Sequence, residues 1–327
     1  MRVGIDTYTI RALQLNPYQT LDFIAERSFE GAQFGSVDSL SNTLDVGVLK
    51  DIKSYADAQN LYTHVSVATV NPITYKGRFE ALKQELEKQI RAAAACGWYE
   101  LRSAINNGRE RYTHKVVWQA HIDACVKLIN ALRPTLEGYG CRINIETHGE
   151  STFDILQVIE RTSPHLTGVC LDTANTLLNG EDPVSAASRV APYTHLTHTK
   201  DGIITFCDEG VLRQSKAPGM GLVDFPRILP ILGAYCPDLP LSIEDHKSLF
   251  KAEIFNAAWF DHNPELTARE LGQFARLAWL GQGKLQSGEL PPVDDYEAPP
   301  FLEQMEERLS FGRDYLKQLL VQLQLDE

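Results

Sequence analysis

A short apolar run followed by an amphipathic helical stretch recurs along the chain, and this alternation limits the fold more than any other feature. Runs at Val3–Asp6, Gly31–Phe34, Leu61–Ala68, Tyr99–Ala104, Arg142–Glu146, Thr167–Leu171, Tyr193–Thr199 and Pro240–Ile243 read as strands, rich in β-branched residues or bounded by turn formers. Between them, residues 17–29, 44–59, 79–96, 112–132, 153–159, 183–190 and 226–234 carry apolar side chains at helical spacing. In 79–96, Leu82, Leu86 and Ile90 form one face, and Gly97 stands where the helix would stop. Pro134 is expected to end or kink the preceding helix. Parallel neighbours need crossover helices, so the pattern predicts an α/β fold closed as a (β/α)8 barrel.

Beyond the eighth strand lie a helix to about Leu280, a Pro-rich linker from Gly288 to Pro300, and a last helix from Met305 to Leu323. The expected organisation is a barrel domain over 1–285, with a linker and C-terminal helix (286–327) packed on it as a helical extension. Residues 201–223, with Gly202, Gly210, Pro218, Gly219 and Gly221, are expected to form a long irregular connection suited to a lid.

In a parallel barrel, functional groups gather at the carboxyl ends of the strands. Glu146, Asp172, His198 and Glu244 each fall at that end of the fifth to eighth runs, and consecutive strands lie side by side. Three carboxylates in one low-dielectric place repel one another, and a divalent cation is the simplest remedy. Three oxygens and one imidazole suit one Mn²⁺ ion first, then Mg²⁺ or Co²⁺, with Zn²⁺ less favoured.

His148, two residues after Glu146, falls on the same side of an extended strand, where an imidazole suits general-base work or a hydrogen bond to a ligand. Glu150 is expected to orient it. Tyr8, His64, Arg102, Lys200 and His246 lie at or near strand ends and are expected to line a substrate pocket, as is Asp6; Lys200 and Asp201 otherwise pair with each other. His195, three residues before His198, is expected to face away from the ligand.

A net charge of −12 over 327 residues disfavours nucleic acid as a partner, and no apolar window approaches membrane-spanning length. No leader precedes the first strand, so a cytoplasmic location is expected. The six cysteines form no C-x-x-C pair and read as reduced, buried thiols.

The segments Ile143–Glu150 (INIETHGE), Gly168–Asn175 (GVCLDTAN), His195–Asp201 (HLTHTKD), Pro218–Phe225 (PGMGLVDF) and Leu241–His246 (LSIEDH) carry a resemblance. Over roughly residues 1–285 the chain resembles the xylose-isomerase-like sugar isomerase/epimerase superfamily of TIM barrels. The resemblance implies that Glu146, Asp172, His198 and Glu244 are metal ligands. It also implies proton abstraction next to the carbonyl of a keto-sugar, through a metal-stabilised enediolate. In the ketose 3-epimerases of that group the two metal-binding glutamates also act as base and acid, the places of Glu146 and Glu244. Asn175 departs from them, standing where they carry a His.

The Glu-Thr-His pattern, the Leu241–Lys247 end and the long C-terminal extension look similar to the larger subunits of C-glycoside deglycosidases and to enzymes acting on 3-oxo-sugars. That likeness implies a lyase with His148 as base, working with a small partner subunit. A non-catalytic sugar-binding barrel is the third reading. The partners expected are a sugar or glycoside and further copies of the chain, as a homo-oligomer.

Overall fold

The computed structural model describes residues 1–75, 78–106 and 110–326. Eight parallel strands close into a barrel: β1 (Arg2–Asp6), β2 (Gly31–Ser36), β3 (Tyr62–Ser66), β4 (Glu100–Ser103), β5 (Arg142–Glu146), β6 (Thr167–Asp172), β7 (Thr194–Thr199) and β10 (Pro240–Ile243). Closure is made by β1 against β10, with Val3 level with Leu241 and Ile5 with Ile243. The three remaining strands, β8 (Asp201–Cys207), β9 (Gly210–Lys216) and β11 (Leu249–Ala252), form a separate antiparallel sheet.

Strand alternation assigns the two sides of the wall. Val3, Ile5, Ile143, Ile145, Val169 and Leu171 are fully buried with Leu82, Leu86 and Ile90 of the helix Phe79–Ala95 in one apolar core. Burying a side chain of this size contributes roughly 1.5–3 kcal/mol. The opposite parity faces the barrel interior. There Tyr62 spans the floor, its hydroxyl 3.0 Å from Ser242 Oγ. A Cβ on Gly31 would fall 2.2 Å from the Tyr62 ring, and one on Gly4 2.2 Å from its hydroxyl, so glycine makes room for the phenol.

Two expectations are corrected. The helix expected over 112–132 is Trp118–Tyr139 and runs through Pro134. Pro134 is on the exposed side, where water can satisfy the carbonyl that loses its partner. The lid expected over 201–223 is in large part the β8–β9 hairpin, with Asp201 opposite Lys216. Ile203, Ile204, Thr205 and Phe206 supply β-branched and aromatic residues, which the glycines around them obscured. Only the following turn is irregular. Asp201 gathers it, accepting from the amides of Gly202, Gly219, Gly221 and Val223 at 2.7–3.0 Å.

The C-terminal helix, Phe301–Leu323, buries Met305, Leu309, Leu316, Leu319 and Leu320 in the same core as the barrel wall. Among the described residues, no helix is long and apolar enough to cross a membrane.

Candidate metal centre and adjoining cavity

Register brings the four strand ends together. Glu146 is level with Cys170 on β6, Asp172 is level with His198 on β7, and His198 is level with Ser242, two residues before Glu244. The threonine after each of the first two carboxylates laces the next strand in place. Thr147 Oγ1 bonds the carbonyl and amide of Asp172 at 3.1 and 2.8 Å, and Thr173 Oγ1 does the same for Lys200.

Glu146, Asp172, His198 and Glu244 each present one ligand atom, and the four atoms lie within 4.8 Å of one another, all buried. His198 Nδ1 faces the carboxylates, 3.0 Å from Glu146 Oε1 and 2.9 Å from Glu244 Oε2. Asp172 Oδ1 accepts the amides of Ala174 and Asn175 at 3.0 and 2.9 Å, which fixes its direction, and Oδ2 lies 3.3 Å from Lys200 Nζ. Lys200 also reaches Glu244 Oε2 at 3.2 Å.

Charge explains the titration. Burial works against the His198 cation, yet Glu146, Cys170, Asp6 and Glu244 outweigh it and hold its pKa well above the ordinary value. Burial raises the Asp172 pKa, Lys200 opposes it, and Glu244 and Glu146 reinforce it. Burial acts the same way on Glu244, but Lys200 and His198 win and hold it well below the carboxylate range. Three carboxylates and one imidazole converging from four strands are the donor set of a divalent cation that prefers oxygen, and the residues fit one.

His198 Nε2 turns to the other side, 3.2 Å from Asp6 Oδ2 and 2.6 Å from the Gln33 amide nitrogen. Gln33 Oε1 has no hydrogen-bond partner. The two ends of an amide are assigned by their bonds, and exchanging them gives His198 Nε2–H an acceptor. That bond commits Nδ1 to the carboxylate side. Gln33 escaped the sequence reading. The signal was a polar residue level with Asp6 on a strand otherwise marked only by apolar neighbours.

A cavity of about 320 Å³ adjoins the cluster on one side, lined among the described residues by Glu146, His148, Arg102, Thr69, Thr74 and residues 103–106, with Val67. Arg102 grips Glu146 Oε2 through Nε at 2.9 Å and Nη2 at 2.7 Å, and gives Nη1 to Ser66 Oγ. His148 Nδ1 lies 3.1 Å from the carbonyl of Asn106. Glu150 does not bond His148 as expected. It accepts from the amides of Ile105, Asn106 and Gly149 instead, because three loop donors converge on it, and burial raises its pKa to about 7.

The other residues expected at a pocket divide. His246 Nε2 lies 3.4 Å from Glu244 Oε1, and half-exposed Tyr8 stands edge-on to His246 at 5.5 Å, so both stand beside Glu244 and outside the lining of the cavity. Lys200 is sealed between Asp172 and Glu244 and makes no pair with Asp201, whose oxygens are taken by backbone amides. His64 does not line the cavity. It lies beside Tyr62, 5.6 Å between rings, where burial lowers its pKa to about 4.

His195 is remote from the cluster, but not through parity. A Cβ on Gly168, which shares the inward parity of Asp172, would fall 2.7 Å from His195 Cδ2. The register between β6 and β7 shifts at Cys170, placing His195 at the amino end of the barrel interior.

Together these features define an α/β barrel with a buried donor set that could hold a metal ion at the carboxyl ends of its strands. A family model described as xylose isomerase-like TIM barrel matches residues 21–276, and the chain belongs to that family. Solved structures share the fold at low identity. A xylose isomerase domain protein from Planctomyces limnophilus is 18% identical, with a TM-score of 0.55 over 79% of this chain and 92% of that one. A D-psicose 3-epimerase studied with D-fructose is 13% identical, with a TM-score of 0.60 over 86% and 100%. A 3-keto-D-glucoside 4-epimerase from E. coli is 15% identical, with a TM-score of 0.58 over 81% and 98%. No curated protein matches the chain at a comparable level of significance.

Proposed function

We propose that this chain is a divalent-metal-dependent enzyme, with Mn²⁺ the preferred ion, that removes a proton next to the carbonyl of a keto-sugar with an isomerase or epimerase outcome. The observation that carries this reading is the cavity, which opens onto Glu146 within the four-residue cluster. Glu146, Asp172, His198 and Glu244 hold the ion, which when bound supplies positive charge to stabilise the oxyanion formed as the proton leaves. Arg102 orients Glu146, while Glu244 and His246 stand across the cluster as the second proton-handling group. The names of the structural neighbours, two of them epimerases of sugars, support the substrate class.

A second reading has its own observation. His148 lines the same cavity, and the neutral tautomer that donates from Nδ1 to the Asn106 carbonyl leaves its Nε2 lone pair free to take a proton. If the substrate is a 3-oxo-glycoside, the same proton removal leads to elimination of the aglycone.

Incubation with free ketoses and with 3-oxo-glucosides in D₂O, with Mn²⁺ present, separates the two. Deuterium uptake without aglycone release supports the isomerase or epimerase, and release supports the lyase. No exchange with either class, in protein shown to bind Mn²⁺, rejects both and leaves a sugar-binding barrel.

A further inference from the structure

We propose that Arg308, on the C-terminal helix and outside the family-matched residues, is a positioning residue that fixes the Glu244 carboxylate at the metal centre. The proposal rests on the metal reading of the cluster. β10 ends at Ile243, so Glu244 to Lys247 carry the site without a strand neighbour to hold them. Asp245 is the anchor instead. Its carboxylate takes the Arg308 guanidinium as a fork, with Nε on Oδ2 at 2.7 Å and Nη2 on Oδ1, and both side chains are buried. Its amide donates to Thr9 Oγ1 at 2.9 Å, and Thr9 donates on to the Ile243 carbonyl at 3.2 Å.

Alternation along the segment then gives the geometry. With Asp245 drawn outward to Arg308, Glu244 and His246 turn together toward the cluster, 3.4 Å apart. The linker reinforces the clamp from above. Tyr296 Oη accepts Arg308 Nη1, and Lys247 Nζ donates to the carbonyls of Tyr296 and Pro299. A planar guanidinium holding both carboxylate oxygens fixes the rotation of Asp245 as well as its position, which an ammonium cannot do. The C-terminal extension is therefore part of the active site although none of its described residues lines the cavity.

The test uses the full-length chain. Arg308→Lys keeps the charge and loses the fork. Arg308→Gln combined with Asp245→Asn leaves no unpaired charge buried, and keeps the test available if the first variant unfolds. Free Mn²⁺ is followed by electron paramagnetic resonance during titration, beside circular dichroism and thermal melts without metal. Folded variants are expected to bind Mn²⁺ about tenfold more weakly, the scale of lost outer support at metal sites. Wild-type affinity in a folded variant overturns the proposal and leaves the metal reading standing. A wild-type chain that binds no divalent ion overturns both.

Discussion

Arg102 holds Glu146 by one oxygen only: Nε and Nη2 both lie on Oε2, at 2.9 and 2.7 Å, while Oε1 stays on the cluster side, 3.0 Å from His198 Nδ1. Burial alone would raise the Glu146 pKa, but Arg102, His198 and His148 outweigh it and keep the carboxylate far below its usual range. The pairing keeps Glu146 ionised and turned toward the ion site.

Arg102→Met takes from buried Glu146 its strongest partner and leaves it His198 and His148. It is expected to destabilise the protein by about 1.5–3 kcal/mol, the scale of a hydrogen bond to a charged group, in urea unfolding without metal. Added Mn²⁺ is expected to restore part of that, since an ion that binds the folded state alone stabilises it by mass action. A variant as stable as wild type would show that Arg102 is not the partner that matters.

Under the lyase reading, His148→Gln is expected to keep wild-type Mn²⁺ affinity while slowing proton exchange on the active substrate by roughly 10²–10⁴-fold, the usual contribution of a positioned base. Unchanged exchange would assign His148 to hydrogen bonding with Asn106 and return the proton chemistry to the two glutamates.

Lys216 is fully buried, its Nζ 3.0 Å from the centre of the Tyr296 ring and without a hydrogen-bond partner. Burial, with Arg308 and Lys247 adding repulsion, lowers its pKa from 10.5 to about 7. Between those values the unfolded chain binds the extra proton, so this group makes stability climb as pH rises from about 7 toward 10. Lys216→Met is expected to flatten that climb and to be the more stable protein at pH 7. Parallel slopes in urea melts across this range would contradict it.

Gly31→Ala is expected to cost about 1–3 kcal/mol through overpacking against the Tyr62 ring, and Tyr62→Leu in the same chain to recover part of it. Additive losses in the double variant would mean the two do not share the barrel floor.

The carboxyl-end placement of Glu146, Asp172, His198 and Glu244 was legible from the sequence because strand period and strand order are local properties, and a carboxylate closing an apolar run is conspicuous. The same locality hid the β8–β9 hairpin, where glycines interrupt the pattern, and let Pro134 pass for a helix end because nothing in the sequence states which side faces water. The role of Gln33 went unread for a different reason. Its partner lies on β7, far along the chain, and only closure of the barrel sets them 2.6 Å apart.

The sequence by itself determined the alternation of strands and helices and the residue types at the strand ends, since both follow from periodicity and from the cost of burying charge. Tertiary structure alone decided which side of the cluster opens into a cavity, that Arg102 claims Glu146 and Lys200 is sealed between Asp172 and Glu244, and that Arg308 reaches back to Asp245. Those pairings join residues distant along the chain, and no local pattern encodes the register, the β6–β7 shift or the packing of the last helix that brings them into contact.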